Sequence, residues 1–285
     1  MIGYSAFCRK GITWRINQGG ALPLSPGKKL NQIDLDLVKS IREDKKLLFV
    51  RWESEFDIQG VTEWWHIIKD SFDDLSELPK KTRYMIRKAS KEYEVRRMSR
   101  LKVIEVGYSV YKAAYQRYQT HEPMYSREEF RNAVAELPER TEFWGVYEKE
   151  GERLVAFSEN YVEDNICFYV SMWLEPESMA KFAGYLLFHE MELNYLRDRR
   201  FQYVSDGTRS LSHDTNIHDF LLRKFNFRKA YSTLNVVYTP WLKVLINCCY
   251  PLRKMINKVQ YTPFKKASVL LKQEEIRRAR EKARA

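Results

Sequence analysis

The residues best suited to acid–base chemistry lie together in one polar loop, Ser205–Asn216. His213 is the first candidate for a general base, because the pKa of a free imidazole lies near neutral pH. Asp206 follows an apolar segment and is suited to orient that base or to bind a substrate. Arg209 offers forked donors to an anionic group. Two further polar residues of the loop are expected to bind substrate, Asp214 and Asn216.

Each of these candidates also has a purely structural interpretation. Asp206 fits a turn, His213 fits an exposed loop, and Arg209 fits a surface ion pair. Glu159, in the middle of a predicted strand, is a second candidate base unless its side chain is solvated. No Ser-His-Asp spacing indicates a nucleophile elbow. The four cysteines show no CxxC pairing and no His partner at ligand spacing, so we predict reduced thiols and no metal site.

The elements on either side of the loop must position it. Phe201–Ser205 is short and apolar and is predicted to be a strand that ends in a turn. Apolar residues recur at helical spacing over Ile217–Phe225, with Asp214 or Thr215 as the N-terminal cap. Tyr231–Tyr238 is rich in β-branched and aromatic residues and is predicted to be the next strand.

Upstream, apolar and polar residues alternate in three segments that predict an antiparallel meander: Phe143–Tyr147, Leu154–Tyr161 and Ile166–Leu174. A long, well-buried helix is predicted after Pro176, and His189 is expected to be a core histidine on it. The order of three strands, long helix, strand, short helix and strand predicts an α+β fold. Its sheet is mixed and mainly antiparallel, with helices on both faces.

A further helix is predicted after Pro79, over the run Lys80–Arg97 that is rich in Lys and Arg. Its basic residues recur at steps of three and four, which places them on one face: Lys80, Arg83, Arg87 and Lys91. Such a face is either solvated or a cradle for phosphate or another anion, in which case Arg83 and Arg87 bind substrate. Two more helices are predicted, one over Val103–Tyr118 and one that begins at the capping box Ser126–Glu129.

Two stretches resemble known families. The element order over 141–240 is similar to the second half of the GNAT acyltransferase superfamily, whose last helix often ends in Lys-x-Gly-Phe; Lys224–Arg228 (Lys-Phe-Asn-Phe-Arg) resembles that signature with Asn in place of Gly. Leu78–Ala89 resembles the basic helix of FemAB-like proteins. That GNAT branch includes aminoacyl transferases of cell-wall assembly and predicted acyltransferases of surface-polysaccharide clusters.

The resemblance implies a site for acyl-CoA. In GNAT proteins the fourth and fifth strands splay apart and pair with the pantetheine arm, while amides at the start of the next helix hold the pyrophosphate. In this chain the splay would separate Ile166–Leu174 from Phe201–Ser205. The residues that the resemblance assigns to the cofactor are Met172, Trp173, Lys181, Gly184 and Lys224.

The phosphate-binding loop departs from the pattern of the superfamily. Gly184 stands alone where Gln/Arg-x-x-Gly-x-Gly/Ala is usual, and Glu175 and Glu177 would repel a pyrophosphate unless turned away. Three donors therefore stay open: an acyl-CoA such as acetyl-CoA, the thioester of an acyl-carrier protein, and an aminoacyl-tRNA. The basic face from Lys80 to Lys91 would contact the tRNA.

The leading hypothesis is an acyltransferase that moves an acyl group from a thioester donor to an amino or hydroxyl group. The acceptor would be a sugar or cell-envelope precursor, either a small molecule or a lipid-linked glycan. The alternatives are a tRNA-dependent aminoacyl transferase of the FemAB type and a non-enzymatic binding module with a degenerate GNAT fold. We expect strands and loops over 1–75, the transferase core over 76–240 and a basic helical tail over 241–285.

Most of the net charge of +11 belongs to that tail: residues 241–285 hold 12 Lys or Arg and 3 Glu, a net charge of +9. The apolar runs are too short to span a bilayer and the N-terminus lacks the apolar core of a signal peptide, which favours the cytoplasm. The apolar Trp241–Leu252 precedes the basic residues 253–285, a combination suited to an anionic membrane surface. The alternative is that Trp241–Leu252 packs on the sheet as a closing helix.

Overall fold

The computed structural model describes residues 5–17, 19–24, 33–117, 123–211, 216–256 and 262–284. The chain forms two compact units, each assembled from separated segments. The first holds Ile68–Gly207 and Phe220–Arg228; the second holds the described parts of Tyr4–Ile67, Thr208–Asp219 and Lys229–Ala285. These units differ from the consecutive segments 1–75, 76–240 and 241–285, because the last strand of the chain pairs with an N-terminal strand.

The first unit contains a sheet in the strand order β6-β7-β8-β9-β10. Its strands are β6 (Tyr93–Met98), β7 (Thr141–Glu148), β8 (Leu154–Glu163), β9 (Ile166–Leu174) and β10 (Tyr203–Thr208). All neighbours are antiparallel except β9 and β10, which are parallel. The predicted meander is therefore confirmed, and the strand expected at 201–205 begins two residues later.

Helices cover both faces of this sheet. They are α2 (Lys80–Glu92), α3 (Arg100–Tyr115), α4 (Arg127–Ala135), α5 (Pro176–Ala180) and α6 (Ala183–Glu192), which continues into a π-helical turn (Leu193–Asp198). Phe157 and Ser158 are adjacent in β8 and point to opposite faces. A Cβ at Gly107 of α3 would lie 3.6 Å from the Phe157 ring, whereas the Ser158 hydroxyl lies 3.1 Å from the Met191 sulfur of α6. The predicted α+β fold is confirmed.

Two helices differ from their predicted extents. The helix expected after Pro176 is divided between α5 and α6 at Phe182, whose φ of +69° interrupts the helical backbone. The basic helix α2 ends at Glu92, and the following residues form β6, which pairs with β7 from Tyr93 opposite Glu148 to Met98 opposite Phe143. Pairing with a buried neighbouring strand outweighs the helical preference of the charged residues in this segment.

The second unit contains the strand order β1-β2-β3-β4-β11-β5. Its strands are β1 (Ser5–Arg9), β2 (Ile12–Asn17), β3 (Gly20–Pro23), β4 (Phe49–Ser54), β5 (Trp64–Lys69) and β11 (Arg228–Tyr238); the ends of β5 and β11 belong to the first unit. Its helices are α1 (Leu35–Asp44), α7 (Asn216–Lys224, shared with the first unit), α8 (Pro240–Cys249), α9 (Arg253–Ile256) and α10 (Thr262–Arg284). A 3₁₀ turn, Tyr250–Leu252, joins α8 to α9.

Apolar side chains cover both faces of the sheet of the second unit. Val50 of β4 belongs to a buried cluster with α1, and its neighbour Phe49 belongs to another with Leu242 and Ile246 of α8 and Leu271 of α10. The helix α8 therefore packs on the sheet through one of its faces. Within the described ranges, no helix is long and apolar enough to cross a bilayer.

Candidate active site

The main feature of the first unit is a fork between β9 and β10. The two strands pair only from Ile166–Phe168 to Tyr203–Ser205, whereas β9 continues to Leu174 and β10 continues to Thr208. The far half of β9 remains paired with β8 on its other side. The splay expected from the sequence lies at this position. Backbone groups on the inner edge of the fork are suited to pair with an extended ligand.

A β-bulge in β9 decides which side chains line the fork. Glu159 pairs with Ser171 and the next residue of β8 pairs with Tyr169, so Val170 is an extra residue in β9. Tyr169 packs against Phe188 of α6, with ring centroids 5.7 Å apart. Because of the bulge, Met172 faces the same side as Tyr169, although the two residues are three positions apart.

Asp206 lies on the α6 side of the fork. It is the first residue of β10 beyond the paired segment, two positions after Val204, which is opposite Cys167 of β9. Tyr169 likewise follows Cys167 by two positions, so both side chains extend from the same face. Burial raises the pKa of Asp206 to about 8. A carboxyl group with that pKa exchanges its proton readily near neutral pH, as a general acid–base catalyst requires.

Tyr169 supplies a second polar group at the fork. Its hydroxyl is buried and has no hydrogen-bond partner among the described residues. Burial holds the pKa of Tyr169 well above its usual range, and the negative charges of Glu192 and Asp206 add to the effect. The phenol therefore stays protonated and is suited to donate a hydrogen bond to a developing negative charge.

A buried ion pair lies beneath α6. The Lys69 ammonium lies 2.9 Å from Glu192 Oε2 and 3.0 Å from Asp73 Oδ2, and it donates to the carbonyl of Phe225 over 2.8 Å. Burial raises the pKa of Glu192 to about 7 against the opposing effect of Lys69, and Glu192 Oε1 has no partner among the described residues. This pair connects the end of β5, the last turn of α6 and the residue after α7.

Sequence reasoning did not single out Lys69, Tyr169 or Glu192. Two features of the sequence could have indicated a buried ion pair. Lys69 ends the apolar run of β5, and Glu192 is a charged residue in a helix whose neighbouring faces are apolar. His189, by contrast, was assigned to the core, and it is buried with its ring 5.8 Å from that of Phe72. Burial lowers the pKa of His189, with Lys69 contributing, so this imidazole is neutral at pH 7.

The start of α6 packs at the open end of β9. A Cβ at Gly184 would lie 3.1 Å from Leu174 Cδ2, so a larger residue would displace that leucine. The first N–H groups of a helix have no acceptor within the helix and favour anions. The ammonium of Lys88 lies 5.5 Å from the ring centre of Phe182, directly before α6. This end of the fork therefore combines unpaired amides with a cation.

The two carboxylates expected to repel a pyrophosphate are each neutralised. Arg153 donates to Glu175 over 2.7 Å, and Lys181 lies 3.3 Å from Glu177 and 3.5 Å from Glu92. Lys181, a predicted cofactor residue, therefore lies beside the start of α6 but is engaged in ion pairs.

Two predicted residues point away from the fork. Glu159 is only 1% exposed, so it is not solvated; it shares the α3 face of the sheet with Phe157, opposite to the face of Asp206. Trp173 also faces α3, where its ring centre lies 4.8 Å from that of Tyr111. Only the backbone of Trp173 faces the fork.

The loop residues fall into separate groups. His213 and Asp214 lie outside the described residues. Arg209, in the second unit, donates to Glu63 Oε2 over 2.8 Å, which supports its interpretation as a surface ion pair. Asn216 is exposed at the first position of α7, and Lys224 ends that helix in the first unit.

On the basic face of α2, Lys80, Arg87 and Lys91 are exposed and Arg83 is half-buried. Thr82, Ile86 and Ala89 bury the opposite face of the helix. Arg83 donates to the carbonyl of Ser76 over 3.2 Å. No carboxylate of the described residues lies within ion-pair distance of the four cations on this face: Lys80, Arg83, Arg87 and Lys91. The face thus retains its full charge for a ligand or for solvent.

Asn226 explains how this chain departs from the Lys-x-Gly-Phe signature. Its φ of +54° is a conformation that asparagine tolerates better than other non-glycine residues. Its side-chain amide donates to Asp73 Oδ2 over 2.8 Å, and Asp73 also binds Lys69. The side chain that replaces glycine therefore joins the polar cluster beneath α6.

No family model and no curated protein matches the sequence. Among solved structures, FemX has 10% identity and a TM-score of 0.56 and covers 85% of this chain and 90% of its own. L-PGS from Bacillus licheniformis has 11% identity and a TM-score of 0.52, covering 96% of this chain and 89% of its own. The C-terminal domain of a putative lysylphosphatidylglycerol synthetase from Agrobacterium fabrum has 10% identity and a TM-score of 0.53, covering 85% of each chain. At these identities the likeness shows the fold alone: this chain has an α+β fold similar to that of FemX and of the two other structures.

Proposed function

We propose that this protein is an acyltransferase that moves an acyl group from an activated donor to an amino or hydroxyl group. The observation that carries the proposal is the fork between β9 and β10, which joins an open backbone edge, the start of α6 and the carboxyl of Asp206 within one unit. The acceptor is a sugar or cell-envelope precursor, as the resemblance to FemAB-like proteins implies.

The residues at the fork fit a thioester donor. The edge of β9 beyond Phe168 offers backbone groups to an extended pantetheine arm, and the start of α6 with Lys88 offers positive charge to its phosphates. The small residue Gly184 lets the start of α6 pack closely against Leu174 at the end of β9. These features support an acyl-CoA or the phosphopantetheine of an acyl-carrier protein as donor.

In the proposed reaction, the acceptor nitrogen or oxygen forms a bond to the acyl carbon, and the bond from that carbon to the donor sulfur breaks. Asp206 takes the proton of the acceptor and passes it to the departing sulfur. The Tyr169 hydroxyl donates a hydrogen bond to the carbonyl oxygen as negative charge develops there. Both groups lie on the α6 face of the sheet, at the fork where the donor is proposed to bind.

A second donor class, aminoacyl-tRNA, is favoured by the exposed basic face of α2. Four cations without a carboxylate partner in the described part of the chain suit a phosphate backbone. The resemblance of Leu78–Ala89 to the basic helix of FemAB-like proteins supports the same class. In that case the leaving atom is the ester oxygen of the tRNA, and Asp206 keeps its role.

Isothermal titration of the full chain with acetyl-CoA, a loaded acyl-carrier protein and an aminoacyl-tRNA tests the proposal. We expect one donor to bind at least about tenfold more tightly than the others, and Gly184→Val to weaken that binding while thermal unfolding still occurs in one cooperative step. Failure of all three donors to bind would overturn the proposal. Binding without transfer to any amine or hydroxyl would instead indicate a non-enzymatic binding module.

A further inference from the structure

The helix α8 has two apolar faces, and the described residues cover only one of them. Leu242 and Ile246 are each 4% exposed and pack on the sheet of the second unit. Trp241, Val244 and Leu245 are 59%, 64% and 51% exposed. Packing on the sheet therefore explains why Leu242 and Ile246 are apolar. It leaves Trp241, Val244 and Leu245 in contact with solvent.

The exposed residues form one stripe along the helix. They follow helical spacing and continue past the 3₁₀ turn, and we call them the outer stripe: Trp241, Val244, Leu245, Cys248, Leu252 and Met255. Successive residues turn about 100°, so the four residues within α8 occupy an arc of about 100° beside the buried face. Because α8 is already held against the sheet, the stripe is ordered before any partner binds.

The sequence around the outer stripe is rich in cations. Residues 240–273 contain seven Lys or Arg and no Asp or Glu. Lys243 is exposed beside the stripe, and no carboxylate of the described residues lies within ion-pair distance of it. The next acidic residues along the chain are already paired: Glu274 binds Arg277 and Arg278, and Glu275 binds Arg253.

We propose that the outer stripe docks the protein on the surface of an anionic lipid bilayer. Trp and Leu side chains insert at the level of the headgroups, and the flanking cations bind the negative surface. A second copy of the chain is disfavoured as the occupant, because its own cationic tail would be brought against this one. The inference goes beyond the proposed transfer reaction and does not depend on it.

Co-sedimentation of the full chain with lipid vesicles tests the proposal. We expect binding to vesicles of equal parts phosphatidylglycerol and phosphatidylcholine, with at least about tenfold weaker binding to phosphatidylcholine alone and release as salt rises. Trp241→Ser with Leu245→Ser should lower the partition coefficient at least about tenfold. Both residues are exposed, so thermal unfolding should change little.

The matched control removes two exposed apolar side chains elsewhere. Val61 is 84% exposed and Leu101 is 70% exposed, and Val61→Ser with Leu101→Ser should leave vesicle binding unchanged. An equal loss of binding in the control and in the stripe variant would overturn the proposal. So would wild-type protein that stays in the supernatant at low salt, or equal binding to neutral and anionic vesicles.

Quenching by brominated lipids locates the contact. Trp241 should be quenched by bromine on the acyl chains, and Trp241→Phe should lose that quenching while it retains most of the binding. Binding without quenching of Trp241 would contradict insertion of the stripe. Sedimentation velocity without lipid tests the other possible occupant, a second copy of the chain. A wild-type dimer that the stripe variant abolishes, together with no vesicle binding, would overturn the proposal and make a second copy the partner.

Discussion

Asp206 and Tyr169 show how two ordinary side chains become candidates for catalysis through their position. In a surface turn, Asp206 would be ionised at every physiological pH; at the fork, burial raises its pKa to about 8. Tyr169 lies on the same face because it follows Cys167 by two positions, before the bulge of β9 at Val170. Both effects depend on where β9 and β10 separate.

Asp206→Asn should lower kcat at least about a hundredfold with the fold intact, since the amide cannot accept a proton. In the wild type, activity should rise with pH through about 8, because Asp206 acts as base only when it is deprotonated. The measurement is a pH profile of kcat with the preferred donor. Asp70→Asn is the matched control, since Asp70 is half-exposed and pairs with Arg228 at 2.5 Å. Activity of the Asp206 variant within about threefold of wild type would contradict the assignment.

His213 stays a prediction as the alternative base. If it carries that role, His213→Ala should abolish transfer and the rising limb of the pH profile should lie near 6.5, the usual pKa of an imidazole. A limb near 8 that survives in His213→Ala would assign the proton transfer to Asp206 instead. One pair of pH profiles, of wild type and of His213→Ala, therefore distinguishes His213 from Asp206 as the base.

Lys69 is expected to be important for stability. Lys69→Met leaves Glu192 buried without its cation, which should lower the free energy of unfolding by about 3–5 kcal/mol in urea titrations. Lys69→Met with Glu192→Gln removes both charges and should recover most of that loss. A double variant as unstable as the single one would show that Lys69 stabilises the unit mainly through Asp73 and the Phe225 carbonyl.

At the scale of elements, α2 and α6 present positive charge in different ways. The α2 face consists of side-chain cations spread over about three turns, whereas the start of α6 relies on backbone amides at one point. The first suits an extended polyanion and the second suits a single phosphate group. The salt dependence of donor affinity shows whether a donor binds the α2 face or the start of α6.

Arg83→Ala with Arg87→Ala should weaken binding of a polyanionic donor more than it changes stability, because exposed charges contribute little to folding. For aminoacyl-tRNA, the slope of log affinity against log salt should fall by about 1.4–1.8, from two lost phosphate contacts. Lys112→Ala with Arg131→Ala is the control, since both are exposed cations of the same unit. Equal slopes in wild type and variant would make the α2 face a solvated surface.

At the scale of the whole molecule, the buried carboxyls predict how stability varies with pH. Asp206 has a pKa of about 8 in the folded state against 3.8 as its usual value, so between these the folded state holds a proton that the unfolded state has released. The free energy of unfolding therefore decreases as pH rises from about 4 to about 8, by at most about 1.4 kcal/mol per pH unit for this group. Glu192 acts in the same direction up to about pH 7.

Asp206→Asn should flatten that dependence, so that the variant gains stability relative to wild type as pH rises from 5 to 8. Urea titrations at several pH values give the comparison, with Asp70→Asn as the control that should follow wild type. A variant whose stability runs parallel to wild type across this range would show that burial does not raise the pKa of Asp206 in the folded state.

The sequence determined the local elements of this protein. Alternation marked β7, β8 and β9, Pro176 and the capping box at Ser126 marked helix starts, and the element order over 141–240 indicated the fold. These signals are local, since they depend on side-chain periodicity and on free N–H groups at helix ends. The basic face of α2 was also legible, because helical spacing places its cations together whatever they bind.

Only the tertiary structure decided which residues meet. The pairing of β9 with β10 ends after three residues, and no local pattern specifies that register. Lys69 and Glu192 are 123 positions apart in sequence, so their ion pair forms only when distant segments of the first unit come together. Likewise the strand β6 forms because β7 is available to pair with it, against the helical preference of its own residues. The sequence specifies periodicity and composition, whereas burial, which sets the pKa values at the fork, exists only once distant segments exclude water from one place.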